Sequence, residues 1–568
     1  MSPINRREWI QLMAASGITM VAGKAFGQRQ QAAPFHQLEA KWITRTLNGK
    51  RVMLRSYNGQ VPGPLLTARP GETVNIRLKN SLFAPHNAPA RGAIPPGVST
   101  KWNGDHNVPH DFEVTNLHTH GFDTIPHLFT PLGTSDPASS MIAIRPGESF
   151  DYSFPLPEDH PPGFYWYHPH HHGSTAVQAV TGMAGGVIIK GDIDEVPEIK
   201  AARDIPLVIN DIGLFPHETR PGLWLYKPTQ NAIWQTFGGG VTIYDPATKQ
   251  NVATKLKGGF TTGDYPLRYY LLNGQPFYEE THNANLPTEP LGAQLPYQKI
   301  TLAPGEVVRF RMLNACSDNF MPLWVEGHDV HMIALDGVNF TAPRTIPETT
   351  GACPPPQFSL APSNRAEFLI KGSTTPGTYR IMELGQTEQF LVSDPKVIAV
   401  IEISQNTPNK NMKLPTKLPT PTRYYPLIKP NEIKRKRTVV FNANFPAQKN
   451  VYVGLDFQIN DQLYDEHVVP ADDRVKLDTA EEWTLQVPDH DHGGTEGHPF
   501  HIHVDHFEVI SVGNAKLPPG TIQDTIWIPK NTSVVIRLKF LGFKGKSVYH
   551  CHILPHEDTG MMQNFLIE

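Results

Sequence analysis

Tyr549–Met562 reads YHCHILPHEDTGMM, and its core is His550-Cys551-His552. The chain holds three cysteines, and this one stands between two histidines, with His556 close behind and Met561 ten residues after the Cys. A thiolate, an imidazole and a distant thioether are ligands of a blue-copper electron-transfer centre, in which the axial Met is weak and long. One more histidine is needed, and it has to come from elsewhere in the chain. On a strand, successive side chains face opposite ways. Cys551 then points to one face while His550 and His552 point to the other. One short peptide can thus bind a mononuclear copper on one side and feed electrons to metals on the other.

The remaining histidines lie upstream in three clusters: His118-Thr-His120, His168-Pro-His170, and HPFHIH with His498, His501 and His503. Each contains an H-x-H unit, which on a strand puts both imidazoles on one face. A lone His is usually a surface or hydrogen-bonded core residue, but four H-x-H units, one with a central Cys, are more than chance placement. Neutral imidazoles without carboxylates suit copper rather than calcium or magnesium, which want oxygen ligands.

The motifs NLHTHGF, YWYHPHHHG, HPFHIHV and HCHILPHEDTGMM resemble, in order and placement, the four copper-binding motifs of the laccase-like multicopper oxidases. The resemblance covers nearly all of the chain after its first residues. It implies an all-β fold of three consecutive cupredoxin-like Greek-key β-sandwiches and four copper ions. The type 1 copper would take His498, Cys551 and His556, with Met561 axial. His118 and His501 match the type 2 copper. His120, His168, His170, His503, His550 and His552 match the type 3 pair. With motifs in the first and third domains, the cluster would lie at their interface and copper would clamp the two together. The implied reaction takes single electrons from a small reducing substrate at the type 1 site and passes them through Cys551 to His550 and His552. Four of them reduce dioxygen to water.

Protons must arrive as well, so a carboxylate relay is expected. Glu557, directly after His556, matches a family position with that role. Asp136, in Gly-Thr-Ser-Asp-Pro, is the second choice. The loop from Gly121 to Asp136 is longer than in the shorter-looped laccases, which makes Asp123 a competitor.

The length of 568 residues fits three or so domains, and 54 Pro with 45 Gly favour a loop-rich β protein. A formal net charge of −4 with no broad basic domain gives no sign of nucleic-acid binding. Residues 1–27, with Arg6-Arg7 before a weakly apolar run, resemble a twin-arginine export signal cleaved before Gln28. The run is too short to span a membrane, so no membrane span is expected. The implied location is periplasmic or extracytoplasmic, and the expected state is a monomer.

Domain one is expected over 35–195, where Asn58–Asn80, NGQVPGPLLTARPGETVNIRLKN, alternates with period two between Pro-Gly turns. Domain two, 200–405, echoes it with LNGQPF at Leu272–Phe277 and ITLAPGEVVRFRMLNA at Ile300–Ala315. A Pro- and Lys-rich linker, 406–437, is not expected to fold alone, and its basic end Lys434–Arg437 reads as a solvated edge. Domain three, 438–568, has its own version of the repeat in INDQLYDEHVVP. His328 and His331 lack the H-x-H spacing and read as structural; His171 and His172 extend motif two, but only His168 and His170 match the ligand spacing. His490 and His492 read as solvated loop residues, and the Trp224–Tyr265 insert finds no place. Export permits a disulfide between Cys316 and Cys353.

Laccase-like oxidation of phenols or aromatic amines is the expected activity, with His498 as an open electron entry. An oxidase of Cu(I), Fe(II) or Mn(II) is the alternative, disfavoured by the absence of a Met-rich segment. A non-catalytic copper-binding or scaffolding relative is the other, disfavoured by the complete ligand set.

Overall fold

The computed structural model describes residues 35–83, 107, 110–217, 219–226, 242–245, 250–253, 265–283, 286–351, 354–385, 394–404, 406–444, 456–488 and 497–568. The expected export signal, Cys353, His490 and His492 lie outside them.

The internal repeats of the sequence become one pairing scheme used three times. In the first unit His36–Leu47 pairs parallel with Thr73–Ser81, which pairs antiparallel with Ser149–Pro155. In the second, Arg203–Pro216 pairs parallel with Val307–Asn314, and that strand antiparallel with Arg365–Lys371. In the third, Ile433–Asn444, Ala480–Gln486 and Ser533–Lys539 do the same. Alternation drives the packing. In Thr73–Ser81 the side chains of Val74, Ile76, Leu78 and Asn80 are buried while their neighbours are half-buried or exposed. The three largest apolar cores among the described residues lie one around Leu38, Ile76 and Tyr152, one around Phe310, Phe368 and Ile401, and one around Trp483, Phe500 and Cys551.

A turn is repeated with them. Asn58, Asn273 and Asn460 have φ of 53°, 49° and 52°, and the next residues, Gly59, Gly274 and Asp461, have φ of 74°, 80° and 60°. Two positive φ values in a row define the hairpin turn whose twist matches that of the strands, and Asn-Gly meets that demand at least cost. Each Asn also reaches sideways to its unit's first strand. Asn58 Oδ1 accepts the Glu39 N–H (2.6 Å), Asn273 Oδ1 that of Val208 (2.9 Å) and Asn460 Oδ1 that of Val440 (2.9 Å).

The first two units share one 13-stranded sheet, joined where Leu223–Leu225 pairs with both Lys50–Tyr57 and Arg203–Pro216. Trp224 is thereby placed at this seam. Tyr265, at the other end of the insert, packs with Phe215 and Tyr226. Opposite the shared sheet, the first unit has a four-stranded sheet that ends in His118–His120. The third unit has a five-stranded sheet with Gly545–Cys551 at its centre.

The Pro-rich connector is held by its neighbours. Leu418 enters the second core, and Lys410 pairs with Glu306 at 2.9 Å. Arg423 bonds Asp123 and Asp159 of the first unit and the Leu541 carbonyl of the third. The basic run Lys434–Arg437 differs from the solvated edge expected of it, because it lies within the strand Ile433–Asn444. Arg437, its side chain 8% exposed, pairs with Asp473 and Glu481 and covers the Trp483 ring.

Asn273→Ala removes the bond to Val208 and leaves at a positive φ a residue without asparagine's tolerance of left-handed backbone. The expected loss is about 2 kcal/mol, read as a lower midpoint in thermal or urea unfolding; an unchanged midpoint counts against the turn's role.

Candidate metal centres

Strand register gathers the motifs. His118 pairs opposite His168 and His120 opposite Trp166, which puts the first two motifs side by side. In the third unit His501 lies opposite His550 and Phe500 opposite Cys551. The alternation expected from the sequence follows. His550 and His552 face the first unit's histidines, while Cys551 joins the third unit's apolar core.

On the core side, Cys551 Sγ lies 3.5 Å from His498 Nδ1 and 3.9 Å from His556 Nδ1, and the two nitrogens are 3.4 Å apart. All three residues are buried, and the Ile553 N–H points to the sulfur at 3.4 Å. Phe457 stacks on His556 with ring centres 4.0 Å apart. Met561 is buried in the same core. Its N–H bonds the His556 carbonyl and its carbonyl accepts the Cys551 N–H, both at 3.0 Å. A sulfur and two imidazoles in an apolar shell suit copper, which prefers such soft and borderline donors. The open edge expected at His498 is absent. His498 is 0% exposed, with Phe441 alongside its ring.

On the other side the imidazoles of His118, His120, His168, His170, His501, His503, His550 and His552 form one buried cluster. His118 stacks on His503 at 3.8 Å and His120 on His501 at 3.7 Å. The surroundings fix the tautomers. His168 Nδ1–H donates to the Pro169 carbonyl (2.8 Å), His501 Nδ1–H to that of Asp524 (2.8 Å) and His550 Nδ1–H to that of Cys551 (2.9 Å). Each then keeps its lone pair on Nε2. The Nε2 atoms of His118, His120, His168 and His501 and both ring nitrogens of His552 are buried with no hydrogen-bond partner, and the Nε2 atoms of His170 and His550 face each other at 3.1 Å. Buried lone pairs without donors are costly unless a metal satisfies them, so the donor set fits copper ions.

Three buried groups behind the histidines have no motif to announce them. Asp524 Oδ2 lies 3.2 Å from His120 Nδ1, and its carboxylate is gripped by Arg365 at 2.7 and 2.9 Å. Burial pushes the Asp524 carboxyl up, but Arg365 outweighs that and holds it below the ordinary range. Arg365 also donates to the carbonyls of Phe164, Ser363 and Asp336. Asp336 in turn accepts from Asn364 and the Arg365 N–H. Gly121 leaves room for this pair, since a Cβ there would collide with Arg365. The third is His127, against His118.

Of the carboxylates expected as proton relays, Glu557 lies at the cluster. It is fully buried, with its oxygens 3.3 Å from His170 Nδ1 and 3.3 Å from His550 Nδ1. Burial and then the Asp558 charge push its carboxyl well above the ordinary value. Asp136 is exposed and caps its own turn by accepting the Ala138 N–H. Asp123 is buried but turned to the connector, where it pairs with Arg423 and accepts the Tyr424 hydroxyl at 2.7 Å. His328 and His331 make ordinary hydrogen bonds to Glu326 and Thr345, and His172 bonds Asn107 and packs on Tyr464. Cys316 carries a free, buried thiol; its expected disulfide partner, Cys353, is outside the described residues.

Profiles described as multicopper oxidase match residues 110–193, 243–401 and 432–568, together more than half of the chain. The chain belongs to the multicopper oxidase family, copper-dependent oxidoreductases that use dioxygen as acceptor. It is 24% identical to a multicopper oxidase of Staphylococcus haemolyticus, over 89% of this chain and 82% of that one. It is 23% identical to a laccase of Bacillus stratosphericus, over 90% of each. In structure it is similar to the multicopper oxidase of Campylobacter jejuni, described as a metallo-oxidase, with a TM-score of 0.63, 23% identity and coverage of 94% of this chain and 90% of that one.

Two outcomes are expected. Burial holds His550 down to about 4 and His168 to about 3, and the non-motif His127 and His160 to about 4. Unfolded histidines take a proton near 6.5 that these folded ones refuse. The metal-free chain therefore loses stability as pH falls through 6.5 toward 4, by up to about 1.4 kcal/mol per histidine per pH unit. Thermal unfolding of the metal-free protein between pH 7.5 and 4.5 checks this, and a flat profile contradicts it. Arg365→Met strands the buried Asp524 carboxylate and is expected to cost about 3–5 kcal/mol, seen as a lowered unfolding midpoint with and without copper.

Proposed function

We propose that this chain couples one-electron oxidation of a small reducing substrate at the Cys551 site to the reduction of dioxygen at the eight-histidine cluster. His498, Cys551 and His556, with Met561, would hold a type 1 copper. His118 and His501 would hold a type 2 ion, and His120, His168, His170, His503, His550 and His552 a type 3 pair, four ions in all. Copper, when bound, supplies the one-electron chemistry and the four-electron reduction of dioxygen to water. The observation that carries the reading is the Gly545–Cys551 strand and its extension, which points the Cys551 sulfur to one histidine pair and the flanking imidazoles to the other cluster.

The chain's own groups do the rest. Cys551 is covalently continuous with His550 and His552, and the His550 Nδ1–H bond to the Cys551 carbonyl adds a second link between sulfur site and cluster. Glu557 is placed to hold a proton at either carboxyl oxygen and to pass it toward the cluster between His170 and His550. Asp524 orients His120 and His501 and is kept ionised for that purpose by Arg365. The apolar core around Cys551 excludes water from the sulfur.

For the substrate, the laccases among the relatives support phenols or aromatic amines. The complete burial of His498 favours a second reading, because a bulky ring finds no edge to touch there and a metal ion held beside the site needs less room. Export through the Arg6-Arg7 leader to the periplasm, the monomeric state and the domain limits 35–195, 200–405 and 438–568 are part of the proposal.

Copper-loaded protein is expected to be blue, and Cys551→Ser to lose the blue band and turnover while the cluster keeps most of its copper. Oxygen uptake with a phenol, an aromatic amine, Cu(I), Fe(II) and Mn(II), each under matched conditions, decides the donor. No uptake with any of them leaves a copper-binding protein without turnover and sinks the proposal.

A further inference from the structure

Resting on the copper reading above, we propose that His127 is a positioning residue for the ligand His118, setting which of its nitrogens is free for the metal. His127 is 2% exposed and lies in the loop after the first motif, its ring beside that of His118 and nearly parallel to it, with centres 5.1 Å apart. Its Nδ1 is 3.1 Å from the Ile125 carbonyl, an acceptor, so the ring proton sits on Nδ1 and the lone pair on Nε2. The Thr119 N–H at 3.2 Å and His118 Nδ1 at 2.9 Å converge on that lone pair, with the Thr119 hydroxyl farther off at 3.5 Å. His118 must therefore carry its proton on Nδ1. Its own lone pair is left on Nε2, which has no hydrogen-bond partner in the cluster.

The arrangement sets His118 apart. Backbone carbonyls orient His168, His501 and His550, and carboxylates lie beside His120 and His170. His118 is oriented by a neutral imidazole. Such a ring fixes direction as firmly as a carboxylate but pushes less electron density onto the ligand. The geometry also explains why His118 stays in register. Its ring is held at its edge by His127 and on its face by His503, whose ring centre is 3.8 Å away. Without His127 the Thr119 N–H and His118 Nδ1 both lose their acceptor, and the His118 proton is free to move to Nε2, where it blocks the metal.

The test uses copper-loaded full-length protein dialysed against graded chelator. Retained copper is measured by metal analysis, the non-blue Cu(II) by electron paramagnetic resonance, and the Cys551 site by its blue band, which His127 does not touch. In His127→Ala the non-blue copper is expected to be lost with about 10–100-fold lower affinity while the blue band persists, and added imidazole is expected to restore retention. Wild-type retention in His127→Ala, or a loss that imidazole does not restore, overturns the proposal. If His127→Ala loses the blue band as well, His127→Phe is read instead. It fills the same space against His118 and Phe154 but offers no acceptor, so weakened retention supports the proposal and unchanged retention overturns it. Wild-type protein that holds no non-blue copper fails the copper reading itself, a result distinct from all of these.

Discussion

The Arg365–Asp524 ion pair is the point on which the three sandwiches converge. Arg365 belongs to the second, Asp524 to the third, and the Phe164 carbonyl that Arg365 also bonds belongs to the first. Two charges taken out of water are tolerated only when every remaining donor is met. Here the guanidinium meets the carboxylate twice and three carbonyls besides, and the carboxylate is left an oxygen near His120. The second sandwich supplies none of the motif histidines, yet through Arg365 it reaches within 3.2 Å of one. Its place in the molecule is thereby explained: through Arg365 it is bonded to both of the others beside the cluster.

How much of this is legible in the sequence follows from which signals are local. The H-x-H units and His550-Cys551-His552 are local patterns on strands, so residue spacing alone distinguishes the two faces of the site. The two Asn-Gly turns, their Asn460-Asp461 counterpart and the strands that follow them are likewise local, and so the threefold repeat is visible. Asp524, Arg365 and His127 sit far from one another in the chain, in stretches with no pattern of their own, and only the tertiary fold gives them meaning. Asp136 illustrates the reverse error. This acid near a motif in sequence folds outward into a turn, whereas Glu557, carried on the short helix Leu554–Glu557, is turned inward. Arg437 departs from its expected solvation for a related reason: a basic run on an alternating strand has one wet face and one that meets Trp483.

Buried polarity around the cluster has a common logic. Hydrogen bonds to backbone carbonyls take the outward nitrogen of His168, His501 and His550, and burial keeps the rings neutral, so the inward nitrogens are ready as donors to metal. The same arrangement destabilises the metal-free state, since inward nitrogens such as His168 Nε2 and His501 Nε2 are buried without a hydrogen-bond partner. Binding energy and folding energy are in this sense the same quantity.

The seam between the first two sandwiches differs in kind from the seam to the third. At Leu223–Leu225 the backbone ladder runs on from one to the next, in register with Arg51–Met53. A ladder cannot slide by less than a residue without breaking its bonds. The third sandwich meets the first through single contacts instead, among them the side chains of Lys546 on the Ser139 carbonyl and Asp558 on the Ala176 N–H, and the Lys546 N–H on the Thr134 carbonyl. Side-chain contacts can loosen and re-form singly. The first two sandwiches are thus continuous in backbone, and the third is fitted to them as a separate piece whose seam is made of single contacts.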